Sequence, residues 1–450
     1  MQLTVGEVAE AIGGRLEGDP DRTVTSWHTD SRLVVPGGAF FALRGAETDG
    51  HGFLEAARAK GAALLVVERS PAVTGAAVVQ VGDTWEALFG LARHALERVH
   101  PTVVGITGSN GKTSTKELCA AALAVRHKVH RTAGNLNTET GVPLTLLALE
   151  PGHEVVVLEM GMQRAGEIAR LATLARPAVG VVTSIGWVHA ENFPDGRDGI
   201  ARAKAELLEA LPPDGLAVIN GDDAFCDRLA ARSPAPVARY GFGEGVDPAG
   251  LRGEDFRQFP EGGVGFTVQG RTVRLRLEGR HQAQNALAAL VVARRLGVGL
   301  TEAAAALSGV EAPHRLQRHS MEGGWTLVDD AYNASPESMR AAFRTVQGMD
   351  RAGRLLAVLG EMRELGVEAE ARHREIGAEA GAVFDRIAVV DLGLGRTLAG
   401  AAGADLVPDR EEAAAWVRRH ARPGDLVLVK ASHGLALDQL TEALLAGGRS

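Results

Sequence analysis

Cysteine is scarce in this chain of 450 residues, which contains only Cys119 and Cys226. Two thiols are far too few for the disulfide framework of a small secreted domain, and they have no zinc-ligand spacing. We therefore expect both to be buried or inert thiols, and we exclude a disulfide-rich scaffold and a structural zinc site.

Positive charge is also in short supply, since the formal net charge is −8 at pH 7. A nucleic-acid binder normally carries a basic surface, so we expect no nucleic-acid partner and anionic substrates held by local cations. The chain lacks an uninterrupted apolar run of about 18 residues, which a membrane span requires. Residues 1–7 are neither basic nor continuously apolar. These features predict a cytoplasmic protein without a membrane span.

Lysine is the rarer basic residue, because only six of the 48 lysines and arginines are lysines. Arginine thus supplies almost every ordinary surface cation. We expect a lysine to be retained where the chemistry needs an amine that can be deprotonated or modified, which a guanidinium cannot be. This argument selects Lys112, Lys204 and Lys430.

The chain does contain an apolar strand, a glycine turn and a helix start at residues 103–118. The turn has the pattern Gly-x-x-Gly-Lys-Thr at 108–113, although Ile106 stands where the strict phosphate-loop pattern has its first glycine. Backbone N–H groups and the helix N-terminus would face an anion, Lys112 would reach the outer phosphates, and Thr113 would bind Mg²⁺. An ordinary glycine-rich turn is the alternative, but the strand-turn-helix order favours nucleotide binding.

Three further polar residues stand where catalytic groups are expected. Glu159 ends the apolar run 155–158, and a carboxylate at a strand tip beside a phosphate loop is suited to bind Mg²⁺. A helix cap or a solvated strand end is the alternative. His189 follows another strand end, and Lys204 lies in a helical segment. On pattern alone His189 is unremarkable and Lys204 is an ordinary helix-surface lysine.

The length predicts about three domains at roughly 150 residues each. A helical stretch ends before Pro101, and strands then alternate with helices, which is typical of a doubly wound parallel sheet. Alternating runs between 241 and 278 predict antiparallel strands added to that sheet. The sequence therefore predicts an α/β fold with a small N-terminal domain at 1–98, a central P-loop domain at 99–312 and a Rossmann-like domain at 313–450.

The order of these motifs resembles that of the Mur ligase family of peptidoglycan synthesis over nearly the whole chain. The resemblance rests on residues 107–113, 134–144, 159–162, 189–191, 203–206, 277–286, 329–336, 359–366 and 429–434. Two positions depart from the family pattern, since Thr138 replaces the usual Asn and His433 stands where Arg is common. The segment 359–366 favours the family member that adds D-alanyl-D-alanine.

This resemblance implies an ATP-dependent amide ligase of cell wall biogenesis. Phosphorylation of a substrate carboxylate by ATP would give an acyl phosphate, which an amine attacks with loss of phosphate. Because carboxylate and triphosphate are both anions, such a site needs positive charge at the transferred phosphoryl group. Lys112 and two Mg²⁺ ions would supply it. The implied metal ligands are Thr113 and Glu159 for one ion, and His189 and a carbamoylated Lys204 for the other.

The resemblance also implies the binding residues. For ATP they are Gly108, Ser109, Asn110, Gly111, Lys112, Thr113, Ser114, Asn285, Arg315, Asp330 and Asn333, with Asp330 at the ribose and Asn333 near the adenine. For the substrate UDP-N-acetylmuramoyl-tripeptide they are Ser31, Arg32, Asn137 and Thr138. Taken singly, these residues have ordinary alternatives: a helix cap for Asn285, a surface cation for Arg315, and surface or strand-end turns for Ser31, Arg32, Asp330 and Asn333.

Two other functional classes stay open on the sequence. A sister Mur ligase that adds a diamino acid, or a folylpolyglutamate-type ligase, would share the phosphate loop, but the Asp-Asn-Pro-Arg motif of the diamino-acid enzyme is missing. A P-loop switch or kinase would share the loop as well, but a Walker-B aspartate and a GTPase base-specificity motif are missing. The second substrate implied by the resemblance is D-alanyl-D-alanine, and we expect a monomer.

Overall fold

The structure is a computed structural model that describes residues 1–45, 47–69 and 75–447. The chain forms two compact units. The first unit contains residues 1–106, 126–162 and 167–179, and the second contains residues 107–125, 163–166 and 180 onward. Both units combine helices with mainly parallel sheets, which confirms the predicted α/β class. The predicted domain boundaries near residues 98 and 312 stay predictions.

The first unit contains two sets of parallel strands. One sheet has the order β2-β7-β6-β5-β4, parallel except for the antiparallel pair of β2 and β7, and β10 pairs in parallel with both β8 and β9. The short strands β1 and β3 pair with each other. The bounds are β1 (Leu3–Thr4), β2 (Arg15–Glu17), β3 (Thr23–Val24), β4 (Ser26–His28), β5 (Gly38–Phe41), β6 (Leu64–Val67), β7 (Ala77–Gln80), β8 (Thr102–Thr107), β9 (Val129–Arg131) and β10 (Val155–Glu159).

The second unit contains the strands from β11 onward. Strands β11 to β16 neighbour one another in chain order, and a separate sheet has the order β17-β18-β22-β19-β20-β21. The bounds are β11 (Val179–Val182), β12 (Leu216–Asn220), β13 (Val237–Gly241), β14 (Leu251–Gln258), β15 (Val264–Val268), β16 (Arg271–Leu275), β17 (Gln317–Ser320), β18 (Thr326–Asp329), β19 (Leu355–Leu359), β20 (Arg386–Val390), β21 (Asp405–Val407) and β22 (Leu426–Lys430).

The helices connect these strands. They are α1 (Val5–Ala11), α2 (Leu54–Ala59), α3 (Thr84–Val99), α4 (Lys112–Leu123), α5 (Gly141–Leu147), α6 (Glu167–Ala175), α7 (Arg197–Glu209), α8 (Cys226–Ala230), α9 (Arg280–Arg295), α10 (Leu300–Leu307), α11 (Pro336–Gln347), α12 (Ala369–Val383), α13 (Gly395–Ala402), α14 (Arg410–His420) and α15 (Leu437–Gly447). Among the helices in the described part of the chain, none is both long and apolar enough to cross a bilayer.

The C-terminal sheet shows why continuous apolar runs form buried parallel strands. Along β19 the side chains of Leu355, Ala357 and Leu359 pack into one hydrophobic cluster, while Leu356 and Val358 pack into another. Successive side chains of a strand point to opposite faces, so both faces of this sheet are covered. Polar side chains are thereby left for the strand ends, where ligands bind in such folds.

The structure confirms several local predictions and adds elements that the sequence did not suggest. Strands β14, β15 and β16 are antiparallel neighbours, as the alternating runs indicated. Both cysteines are buried, and burial raises the pKa of each thiol. The sequence analysis missed the edge strands β17 and β21. The reason is composition, because β17 reads Gln-Arg-His-Ser and β21 has only three residues.

Candidate active site

The phosphate loop has the backbone shape that anion binding requires. Strand β8 ends at Thr107, and α4 begins at Lys112 with Gly111 as its N-cap. Gly111 has φ 85° and carries no side chain, so the N-cap residue itself provides no side-chain acceptor at the N-terminus of α4. The Lys112 Nζ donates a hydrogen bond to the carbonyl of Gly108 at 2.8 Å, which folds this side chain back over its own loop.

Contacts from the segment after β11 fix the conformation of this loop. The Thr183 hydroxyl donates to the carbonyl of Asn110 at 2.5 Å, and the Ser184 hydroxyl accepts from the Asn110 N–H at 3.1 Å. The backbone N–H of Gly186 donates to the Ser109 hydroxyl at 2.8 Å. These bonds hold the loop independently of the Lys112 side chain.

A cavity of about 250 Å³ opens beside the loop within the second unit. It brings together seven of the residues that the sequence analysis assigned to ATP, which are Asn110, Gly111, Ser114, Asn285, Arg315, Asp330 and Asn333. Asn285 is not a helix cap, because it lies in the interior of α9 and is 6% exposed. Its amide donates to Gln282 Oε1 at 3.1 Å, and a Cβ built on Gly111 would lie 2.7 Å from Asn285 Oδ1.

The far wall of the cavity carries a buried ion pair. The Nζ of Lys430 lies 2.6 Å from Asp330 Oδ2 and donates to the carbonyl of Asn333 at 2.9 Å. Burial raises the pKa of Asp330 even though Lys430 opposes that rise. The guanidinium of Arg315 stacks over the ring of Tyr332 at 4.1 Å from the ring centre. A flat aromatic and a fixed carboxylate are groups that suit a nucleoside.

The sequence analysis did not assign His281, Gln282 or Tyr332 to a site, although all three line this cavity. His281 and Gln282 lie in a motif that carried the resemblance. Burial lowers the pKa of His281 to about 4, with the charges of Lys430 and two arginines acting in the same direction. Lys430 was selected by the scarcity of lysine, and it also lies in the motif at 429–434. Its partner Asp330 gave no comparable signal, because aspartate at a strand end is common.

Lys204 is not the helix-surface lysine of the simpler interpretation, because α7 places it in the interior with 1% of its surface exposed. Burial lowers the pKa of its amine well below the usual value, and the charge of Lys112 adds to the effect. Among the residues that the structure describes, none gives the Lys204 amine a hydrogen bond or an ion pair. A neutral amine in an apolar setting is a nucleophile, whereas an ammonium is not.

His189 lies at the start of a 3-10 turn at Ala190–Asn192. Its Nδ1 is 2.8 Å from Oε2 of Glu364, a residue of the loop that follows β19. The hydrogen bond from His189 lowers the pKa of Glu364 below its usual range, and Lys112 contributes to the same shift. The sequence analysis had not assigned Glu364 a role, since no spacing rule relates it to a histidine 175 positions earlier.

The first unit holds the other predicted site residues. Glu159 ends β10 and is 1% exposed, and its Oε1 accepts a hydrogen bond from the Asn137 amide at 2.8 Å. The Thr138 hydroxyl lies 3.1 Å from that of Thr140. Glu159 and Asn137 are therefore in direct contact within the first unit.

The predicted uridine-binding residues Ser31 and Arg32 belong to a 3-10 turn at Ser31–Leu33 that follows β4. Ser31 is buried, and the Arg32 guanidinium pairs with Asp30 at 2.7 Å while its side chain is 86% exposed. Arg32 therefore has little packing role.

Metal binding has to be judged from the donors present. In the described residues no three side chains of His, Cys, Asp or Glu converge on one point. Mg²⁺ does not need such a cluster, because it keeps several waters and binds one or two carboxylates plus substrate phosphates. Threonine hydroxyl, carboxylate and carbamate oxygens are donors of the kind that Mg²⁺ takes, and the imidazole of His189 would add a nitrogen donor.

Comparison with known proteins gives a consistent result along the chain. Three family models match in succession: "Mur ligase family, catalytic domain" at residues 23–135, "Mur ligase middle domain" at 106–293 and "Mur ligase, glutamate ligase domain" at 314–433. The chain is 35% identical to the UDP-N-acetylmuramoyl-tripeptide–D-alanyl-D-alanine ligase of Bacillus subtilis, covering 99% of both sequences.

Solved structures of Mur ligases are similar to this chain as well. A crystal structure of MurF from Acinetobacter baumannii is 30% identical with a TM-score of 0.90, and 99% of each chain is covered. MurF ligase from Thermotoga maritima in complex with ADP is 31% identical with a TM-score of 0.83, covering 94% of this chain and 97% of that one.

Proposed function

Because this chain belongs to the Mur ligase family, we propose that it is the ATP-dependent ligase that joins D-alanyl-D-alanine to UDP-N-acetylmuramoyl-tripeptide. ATP phosphorylates the free carboxylate of the tripeptide and leaves as ADP. The amine of D-alanyl-D-alanine then attacks the acyl phosphate, the new C–N bond forms, and phosphate departs with the loss of a proton. We infer that the enzyme acts in the cytoplasm, because its reaction consumes ATP.

The observation that carries the proposal is the cavity beside the phosphate loop, where Asn285, Arg315 and Asp330 line one space with Gly111. A glycine-rich loop at a helix N-terminus, beside a stacking surface and a carboxylate, suits a nucleoside triphosphate. The choice of the other substrates rests on the end-to-end likeness to the Bacillus relative.

We assign the metal ligands from the same family pattern. Thr113 and Glu159 would hold one Mg²⁺, and His189 with carbamoylated Lys204 would hold the other. When bound, the two ions would offset the charge on the phosphates and the carboxylate. Carbamoylation fits the setting of Lys204, because burial lowers the pKa of its amine and so favours the neutral form, which can add to CO₂ with loss of one proton. The product is an anion with two oxygen ligands.

A test of the function measures ADP release with each UDP-muramyl peptide, with and without D-alanyl-D-alanine. We expect release that needs both the tripeptide form and the dipeptide. Release with a diamino acid on the dipeptide form would instead indicate the sister ligase, release with a folylpolyglutamate acceptor would indicate that class, and release without any acceptor would indicate a plain NTPase. Tripeptides ending in lysine or in meso-diaminopimelate are compared in the same assay.

Arg32→Ala should raise the KM for the UDP-linked tripeptide about tenfold and leave the KM for ATP unchanged. The side chain is exposed and pairs only with Asp30 among the described residues, so its loss removes a binding cation without disturbing packing. Arg15→Ala is the matched control, because Arg15 is also an exposed arginine of the first unit paired with a nearby carboxylate. Equal changes in both KM values would contradict a role in substrate binding.

A further inference from the structure

Two segments that are far apart in sequence meet at His189 and Glu364. Besides the 2.8 Å side-chain contact, the backbone N–H of Glu191 donates to the carbonyl of Glu364 at 3.3 Å. The His189 and Glu364 side chains are only 21% and 40% exposed. The two segments are thus held together by a side-chain bond between His189 and Glu364 and a backbone bond between Glu191 and Glu364.

Both residues adopt a backbone conformation that side chains disfavour. His189 has φ 63° and Glu364 has φ 65°, which is the left-handed region that is unfavourable for a residue with a Cβ. Gly366 has φ 56°, and a Cβ built there would lie 2.6 Å from the Cα of Glu191. Such conformations persist only where the surroundings enforce them, and they concentrate at functional sites.

The loop that presents Glu364 is itself fixed. The N–H of Met362 donates to Nε2 of His373, whose Nδ1 lies 2.6 Å from the carbonyl of Ala369. The N–H of Arg363 donates to the Ser432 hydroxyl at 2.9 Å. His373 is fully buried in α12, so the Glu364 carboxylate stands on a rigid support.

The segment of His189 is anchored to the same part of the fold. Trp187 packs against the hydrophobic cluster that includes Met362, Leu365 and Ile376, and the guanidinium of Arg372 lies 4.6 Å from its ring centre. The two anchored segments therefore meet in one defined geometry, and the contact between His189 and Glu364 is part of it.

We propose that Glu364 is a positioning residue that fixes the tautomer of His189: its carboxylate accepts a hydrogen bond from Nδ1–H, so that Nε2 keeps its lone pair for binding a metal ion. This inference rests on the proposed function, because it gives His189 the task assigned there. A ligating imidazole is neutral, and the hydrogen bond at one nitrogen determines which nitrogen binds the ion. Because Glu364 belongs to the loop that follows β19 of the C-terminal sheet, His189 is set for ligation only while that part of the chain is in place.

The first experiment reads the tautomer directly and needs neither metal nor turnover. Nitrogen NMR of the protein labelled with ¹⁵N-histidine, recorded near pH 8, assigns the His189 ring by comparison with His189→Gln. We expect the Nδ1–H tautomer of His189 in the wild type. Glu364→Gln should retain it, because the amide oxygen still accepts a hydrogen bond. Glu364→Ala should lose it in favour of the Nε2–H tautomer. An Nε2–H ring in the wild type, or a spectrum unchanged in Glu364→Ala, would overturn the proposal.

The second experiment measures Mn²⁺ binding in the presence of ADP by electron paramagnetic resonance. Glu364→Ala should weaken binding of the His189-dependent ion about 10-fold to 100-fold, and Glu364→Gln should weaken it less. Glu370→Gln is the control, because Glu370 is a solvent-exposed carboxylate nearby that pairs with Arg374. Equal Mn²⁺ affinity in the wild type and Glu364→Ala contradicts the positioning role. A protein with the expected tautomer but without ligase turnover would contradict only the proposed function.

Discussion

Lys112→Ala should lower kcat/KM for the ligase reaction about 10³-fold, which corresponds to about 4 kcal/mol of transition-state stabilisation. A cation at the end of a phosphate loop acts on charge that develops during phosphoryl transfer, and no other side chain of the loop can replace it. The fold should survive, because Thr183, Ser184 and Gly186 hold the loop through bonds that do not use the Lys112 side chain.

Initial rates of ADP release over a range of substrate concentrations measure the change in kcat/KM, and thermal unfolding measures the stability of the fold. Lys128→Ala is the matched control, since it removes an exposed lysine that has no place in the site. A Lys112→Ala protein that unfolds at the wild-type temperature and still turns over near the wild-type rate would show that the loop does not clamp phosphates.

Lys204→Ala should lose most ligase activity, and Lys204→Arg should be no better. A guanidinium cannot add to CO₂ and would bring a cation to the place where the proposal needs an anion. Acetate at high concentration can supply two oxygen ligands in the space left by the alanine variant, so we expect acetate, and not an amine, to restore part of the rate.

A signal that does not depend on turnover completes the test of Lys204. The wild-type protein equilibrated with ¹³C-bicarbonate should show a carbamate resonance that is absent from Lys204→Arg and retained in Lys60→Arg, which changes an exposed lysine. An active arginine variant, or the same resonance in both variants, would reduce Lys204 to a buried structural residue.

Much of this architecture could be predicted because apolar runs and glycine turns are local features. The run that forms β10 ends at Glu159 just as the sequence indicated, and the rarity of lysine selected two residues that prove to be deeply buried, Lys204 and Lys430. The pairing of His189 with Glu364 could not be predicted, because it depends on where two distant loops meet. The polar edge strand β17 was missed for a different reason, since an edge strand needs no apolar alternation.

The ordinary structural alternatives that the sequence left open for Asn285 and Asn333 had different outcomes. Asn285 was open to interpretation as a cap, and only its position inside α9 excludes that. Asn333 does behave as a local turn residue, because its Oδ1 accepts the N–H of Ala334 at 2.9 Å, yet its carbonyl also receives the Lys430 amine. A residue can therefore satisfy the local pattern and still line the cavity, which sequence alone cannot decide.

The placement of the lysines makes this protein a good subject for covalent footprinting. Amine-acylating reagents will find Lys60 and Lys128 at the surface, while Lys116, Lys204 and Lys430 are shielded. The Lys60 Nζ donates a hydrogen bond to the carbonyl of Arg32, so an acyl label there reports on the turn proposed to hold the uridine nucleotide. Protection of Lys60 by the UDP-linked tripeptide, with Lys128 labelled at an unchanged rate, would follow substrate occupancy by mass spectrometry without any assay of catalysis.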